Sequence, residues 1–182
     1  MDVLDVINIV LLVILAGLIL IQLYLSKAGI EKVVPRIGSR EPFTVLEQTE
    51  NSLLLDTKIE FANEGKQCAT IMDCMVRPQL PYEQYDGIEA RGKAELDGAK
   101  REDDYFEAVL IQKQESIFIH AIVRLTARKG QDLKTALAHM VDLPLDVIYM
   151  ETGRTPWHYS KVRVIVTAQE LASLAGVELA DD

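Results

Sequence analysis

Residues Ser116–Arg128, SIFIHAIVRLTAR, alternate in the manner of a strand with one face on a core. Ile117, Ile119, Ala121, Val123, Leu125 and Ala127 fall on one side. His120, Arg124, Thr126 and Arg128 fall on the other, with Phe118 and Ile122 as apolar exceptions there. A helix would not keep these residues on one stripe, because its period is 3.6 rather than 2. Ser52–Asn63 repeats the pattern: Leu53, Leu55, Thr57, Ile59 and Phe61 oppose Leu54, Asp56, Lys58, Glu60 and Ala62.

Around these two strands the chain reads as further strands separated by turn residues. Phe43–Gln48 is a short strand. Asn63-Glu64-Gly65-Lys66 is a turn, after which Gln67–Arg77 reads as the hairpin partner of Ser52–Asn63. Both faces of Gln67–Arg77 are rather apolar, which fits a central position or a bulge. Pro78 and Pro81 end it. Gly87–Leu96 follows as a weaker strand. Tyr105–Gln112 and Ser116–Arg128 read as a second hairpin around Lys113-Gln114-Glu115, and Leu145–Glu151 with His158–Thr167 as a third. Asp132 caps a short amphipathic helix carrying Leu133, Leu137, Met140 and Val141, stopped by Pro144. Thr167 and Glu170 open a last helix that ends at Gly176. The expected fold is therefore mainly β: an antiparallel, immunoglobulin-like β-sandwich of about seven to eight strands with one or two short helices. The Cys…Trp…Cys order of true immunoglobulin domains is missing, since Trp157 follows both cysteines, so the likeness is one of architecture and carries no function.

Ahead of the sandwich lies Val6–Leu25, VINIVLLVILAGLILIQLYL, which holds no charge. Its twenty residues span about 30 Å as a helix, the thickness of a bilayer's hydrocarbon core. A cleaved signal peptide would begin with basic residues and carry a shorter apolar run. The start here is MDVLD, although Ser26-Lys27-Ala28 offers a weak small-x-small match. The expectation is a single-pass anchor in the lipid bilayer at a cell membrane. The chain then divides into a short tail (1–5), a transmembrane helix (6–25), a juxtamembrane linker (26–42), the sandwich (43–176) and an acidic tail (177–182). Lys27, Lys32, Arg36 and Arg40 follow the apolar run and no basic residue precedes it. That asymmetry places the sandwich on the cytoplasmic side, with an extracytoplasmic placement as the alternative.

The formal charge of the 182 residues is −9. Residues 1–40 carry +1 and residues 41–182 carry −10. So acidic a domain repels phosphate backbones, which argues against nucleic acid, and by its net charge it is expected to stand off an anionic bilayer. Cys68 and Cys74, in one strand, would stand about 20 Å apart, beyond disulfide reach.

No catalytic constellation emerges. His120, His139 and His158 have no metal-ligand spacing, neither cysteine has a C-x-x-C partner, and there is no G-x-S-x-G or glycine-rich phosphate loop. Glu102-Asp103-Asp104, with Asp97 nearby, lacks the ordering of a calcium loop. No cofactor, metal or catalytic residue is assigned. Two loops cluster aromatic and polar groups in the manner of protein-contact patches: Tyr82, Glu83, Tyr85 and Asp86 in one, and Arg154, Trp157, His158 and Tyr159 in the other. The competing expectation is that Tyr82, Tyr85 and Trp157 close the ends of the core. The function expected is a non-catalytic protein-interaction or assembly module, binding a protein partner or its own copies. The alternative is a membrane-tethered enzyme or small-ligand-binding domain whose site gathers distant residues such as Glu83, Asp86, His120 and His158.

Overall fold

A computed structural model of the chain describes residues 2–101 and 106–180. The run Glu102-Asp103-Asp104 and the start of the segment expected at Tyr105–Gln112 lie outside the described residues, as does the end of the acidic tail.

The first element, α1 (Val3–Ala28), is a helix of 26 residues with no buried side chain. Asp2 and Asp5 form a capping box at its start, and Lys27 sits in its last turn. It is long and apolar enough to cross a membrane, and near the N-terminus it fits either a signal sequence or an anchor.

Nine strands follow among the described residues: β1 (Val33–Pro35), β2 (Thr44–Gln48), β3 (Ser52–Asn63), β4 (Ala69–Pro78), β5 (Ile88–Leu96), β6 (Val109–Ile111), β7 (Ser116–Ala127), β8 (Leu143–Thr152) and β9 (His158–Val166). The short helices α2 (Leu133–Leu137) and α3 (Ala168–Ala175) complete the order. The strands build two antiparallel sheets. One runs β1-β3-β7-β5, with β2 also on the free edge of β3; the other runs β6-β4-β8-β9. With β1 and β2 sharing the place of a first strand, β1/β2-β3-β7-β5 and β4-β8-β9 follow the ABED and CFG orders of constant-type immunoglobulin sandwiches.

The alternation in β3 and β7 translates directly into burial. Leu53, Leu55, Thr57, Ile59 and Phe61 are buried, as are Ile119, Ala121, Val123 and Leu125 opposite them. The second sheet contributes Ile71, Leu145, Val147, Tyr149 and Val164. Phe61 and Tyr149 meet edge to face across the layers, with centroids 5.2 Å apart. Burial raises the Tyr149 hydroxyl pKa to about 12 and that of the Cys74 thiol to about 12. Both cysteines are free.

Several sequence expectations need correction. β3 and β4 are not a hairpin: β4 belongs to the other sheet, because both edges of β3 are already taken by β1/β2 and by β7. β6 and β7 are likewise split between sheets, since β7 is flanked by β3 and β5 while β6 borders β4. The third hairpin, β8 with β9, is as expected. β4 is both central and bulged, its pairing to β8 shifting between Met72 and Met75, where Asp73 takes a positive φ of 49°. Pro144 stops no helix: α2 ends at Leu137 and Pro144 pairs with Ile165 inside β8. Within the 26–42 stretch, Val33–Pro35 forms edge strand β1 on β3, where the missing N–H of Pro35 is tolerated.

Candidate interaction site at the exit of the apolar helix

The strand pairings sort the loops by end. The 63–68, 111–115 and 152–158 connections gather where α1 leaves the sandwich; the 79–87 loop, α2 and α3 sit at the opposite end. β3 runs twelve residues between the ends, roughly 35 Å.

At the helix exit the chain is locked. Gly29 takes a positive φ of 68°, which turns the backbone out of the helix. Two residues on, Glu31 is 6% exposed and enters the β8–β9 turn. Its carboxylate accepts the backbone N–H of Arg154 at 2.8 Å, that of Thr155 at 2.9 Å, and the Thr155 hydroxyl. Burial pushes its pKa up, but these hydrogen bonds outweigh it and bring the value from 4.5 down to about 2. A side chain on Gly153 would lie 2.6 Å from the Glu31 carboxyl carbon, so the turn admits Glu31 only because residue 153 lacks a Cβ. Buried Asn63 closes the other flank: its Oδ1 accepts Lys32 N–H at 3.2 Å and Gly65 N–H at 3.0 Å, and its amide donates to Gln67 O at 2.7 Å. Gln67 donates to Ala28 O at 2.8 Å, and Arg154 to Gly29 O at 3.2 Å. Six consecutive positions, 28–33, thus have a partner in the sandwich.

The β8–β9 turn also carries one predicted patch. Trp157 and Tyr159 are 64% and 60% exposed and meet edge to face at 6.3 Å. His158 Nε2 lies 2.7 Å from Glu151, and its Nδ1 3.2 Å from Pro156 O; these contacts raise its pKa. Arg154 is exposed. The other patch lies at the far end. Tyr82 is 63% exposed with the Arg128 guanidinium 5.4 Å from its ring, Glu83 is exposed, and half-buried Asp86 pairs with Lys129. Tyr85 is half-buried, its N–H bonded to Pro81 O at 3.0 Å. Neither Tyr82 nor Trp157 closes the core.

The distant residues named for an enzyme site do not come together. Glu83 and Asp86 are at the far end and His158 is at the helix exit. His120 lies on the outer face of the first sheet, where Nδ1 is 2.7 Å from Asp56 and Nε2 3.2 Å from Asp97. Burial lowers the pKa of His120, but Asp56 and Asp97 together raise it by more, and the net shift is upward. Asp97 also pairs with Lys58 at 2.6 Å. The hollow beside the 79–87 loop is lined by Tyr85, Asp86 and His139 but by neither His120 nor His158. Among the described residues no group of three or more His, Cys, Asp or Glu side chains is placed to hold a metal.

Glu31 was missed at sequence level. Its signal, an acidic residue just after an apolar helix and amid basic neighbours, does not distinguish a buried latch from a solvated linker charge.

No family model and no curated protein sequence matches the chain. Among solved structures the chain is similar to the GAE domain of GGA2p from Saccharomyces cerevisiae, at 6% identity, covering 68% of this chain and 96% of that one with a TM-score of 0.29. It is also similar to the CooA pilin subunit from enterotoxigenic Escherichia coli, at 9% identity, covering 76% and 97% with a TM-score of 0.31. The sandwich itself is established by the strand pairing described above.

Proposed function

We propose that the chain is a single-pass membrane protein whose sandwich, residues 43–176 together with edge strand β1, is a non-catalytic interaction module. Val6–Leu25 is the span, residues 1–5 and 177–182 are short tails, and residues 26–42 form the juxtamembrane segment. The observation that carries this reading is the junction: an apolar helix with no buried face is clamped to a folded domain through Glu31, Asn63 and Gln67. A clamped junction holds the far end of the sandwich at a set height above the bilayer. The patch of Tyr82, Glu83, Tyr85 and Asp86 there is the proposed protein contact, for a partner or for a second copy. Edge-to-edge strand addition is disfavoured at β9, whose edge presents Lys161 and Arg163 held by buried Asp146. The basic flank of α1 favours the cytoplasmic side.

The test is expression of the full chain with a photo-crosslinking residue at position 82. Retention in the membrane fraction at the uncleaved mass of 20.4 kDa is expected, together with one discrete crosslinked species. A shortened chain in the soluble fraction, or monomer alone after irradiation, would overturn the reading. Sidedness is checked with Gln84→Cys in a Cys68→Ser background. A membrane-impermeant maleimide should label it only after lysis; labelling in intact cells would put the sandwich outside.

A further inference from the structure

We propose that the helix-exit end of the sandwich is a docking surface for anionic phospholipid headgroups, with Lys27, Lys66, Lys113 and Arg154 as the phosphate-binding cations and Trp157 as the interfacial anchor. The proposal rests on the anchored reading of α1. It runs against the expectation drawn from net charge, because the charge is unevenly spread in space. Most basic side chains of the sandwich are held by carboxylates: Arg36 by Glu60, Lys58 by Asp97, Arg124 by Glu47, Lys129 by Asp86, and Lys161 and Arg163 by Asp146. Lys27, Lys66, Lys113 and Arg154 have no carboxylate within ion-pair distance among the described residues, and all four are exposed.

These four surround the point where α1 ends. Lys27, Lys66 and Lys113 line one open hollow with Tyr24 and Gln114. The Lys66 stem packs against Gly29, and Arg154 reaches Gly29 O from the other side. Among the acids at this end, Glu64 pairs with Lys32 and Glu151 with His158; ionised Glu31, buried in its turn, and exposed Glu115 offset part of the cationic charge. Tyr24, Trp157 and Tyr159 add exposed amphipathic rings of the kind that settle at the headgroup level. A helix that enters lipid beside this surface brings it to the bilayer with no further search. Each cation near an anionic leaflet shifts the docked ratio about fivefold, ~1 kcal/mol.

Trp157 is the only tryptophan, so its emission reports the docking directly. The full chain is placed in nanodiscs bounded by a tryptophan-free scaffold, of phosphatidylcholine alone and of an equal mixture with phosphatidylglycerol. In the anionic discs Trp157 emission should move to shorter wavelength, with less acrylamide quenching, and high salt should reverse both. The exposed triple variant K66Q/K113Q/R154Q should lose about a hundredfold in docked ratio and match the neutral-disc spectrum. Identical spectra in both discs, with the chain inserted, would overturn the docking while leaving the anchor intact. Failure to insert in either disc would overturn both. Inorganic phosphate added to neutral discs should change nothing; a shift there would mean a soluble phosphate ligand and overturn the lipid assignment.

Discussion

Replacing Glu31 with glutamine tests whether the helix is locked to the sandwich or merely adjacent to it. The wild-type carboxylate receives two backbone N–H groups, at 2.8 and 2.9 Å, and the Thr155 hydroxyl. The fall of its pKa from 4.5 to about 2 corresponds to roughly 3 kcal/mol in favour of the ionised, folded form. Because the folded value is depressed, this stabilisation is complete above 4.5 and is lost as pH falls from there toward 2. Glutamine keeps one acceptor oxygen but turns an NH2 group toward a donor. The expected cost at neutral pH is ~2–3 kcal/mol, in keeping with hydrogen bonds to a charged group. Urea unfolding of both proteins in detergent across the acid range should show that gap at neutral pH and its closure near pH 2. Amide exchange at Arg154 and Thr155 should accelerate about a hundredfold in the variant at neutral pH. A gap that stays constant through the acid range, or equal protection of the two amides, would refute the latch.

Gly153→Ala should destabilise by ~1–3 kcal/mol, read from the urea midpoint, because the new methyl meets the Glu31 carboxyl group and Cys68 O. His120→Gln removes a group whose folded pKa is raised, so its stabilisation is present below 6.5 and lost as pH rises through the folded value. The variant should be ~1 kcal/mol less stable than wild type in mild acid, with the gap narrowing in alkali, checked by unfolding midpoints on both sides. Phe61→Ala opens the core beneath Tyr149 and should cost ~3–5 kcal/mol, whereas Trp157→Ala should move thermal stability by less than ~0.5 kcal/mol.

The strands were legible where one face meets the core and the other meets water, since only then does the side-chain period show in hydrophobicity. Leu53 to Phe61 and Ile119 to Leu125 satisfy that condition, and their ends and faces could be read directly. Pairing was less legible. A turn such as Asn63–Lys66 is equally compatible with a tight hairpin and with a step to the other sheet. The choice depends on which edges of β3 are vacant, and that is decided by β1 and β7, thirty and fifty residues away in either direction, roughly. Three-residue strands such as β1 and β6 carry too few side chains for any period to register.

The same limit governs the functional surfaces. Tyr82 and Trp157 could be picked out by composition, but burial and exposure of an aromatic side chain leave the same letter in the sequence. Placing the two patches at opposite ends requires the strand directions, and recognising Glu31 requires the turn that receives it. Net charge illustrates the point most sharply. A total of −10 over residues 41–182 describes the field felt from far away. Within a Debye length of about 10 Å or less, a surface responds to the charges it faces, and pairing inside the fold decides which those are. With Asp146, Asp97, Glu60 and Glu47 occupied elsewhere, four of the cations left without a carboxylate among the described residues, Lys27, Lys66, Lys113 and Arg154, lie beside the helix exit. A domain that is acidic overall can therefore gather unpaired cations at one end, and the locked junction at Glu31 fixes which end that is.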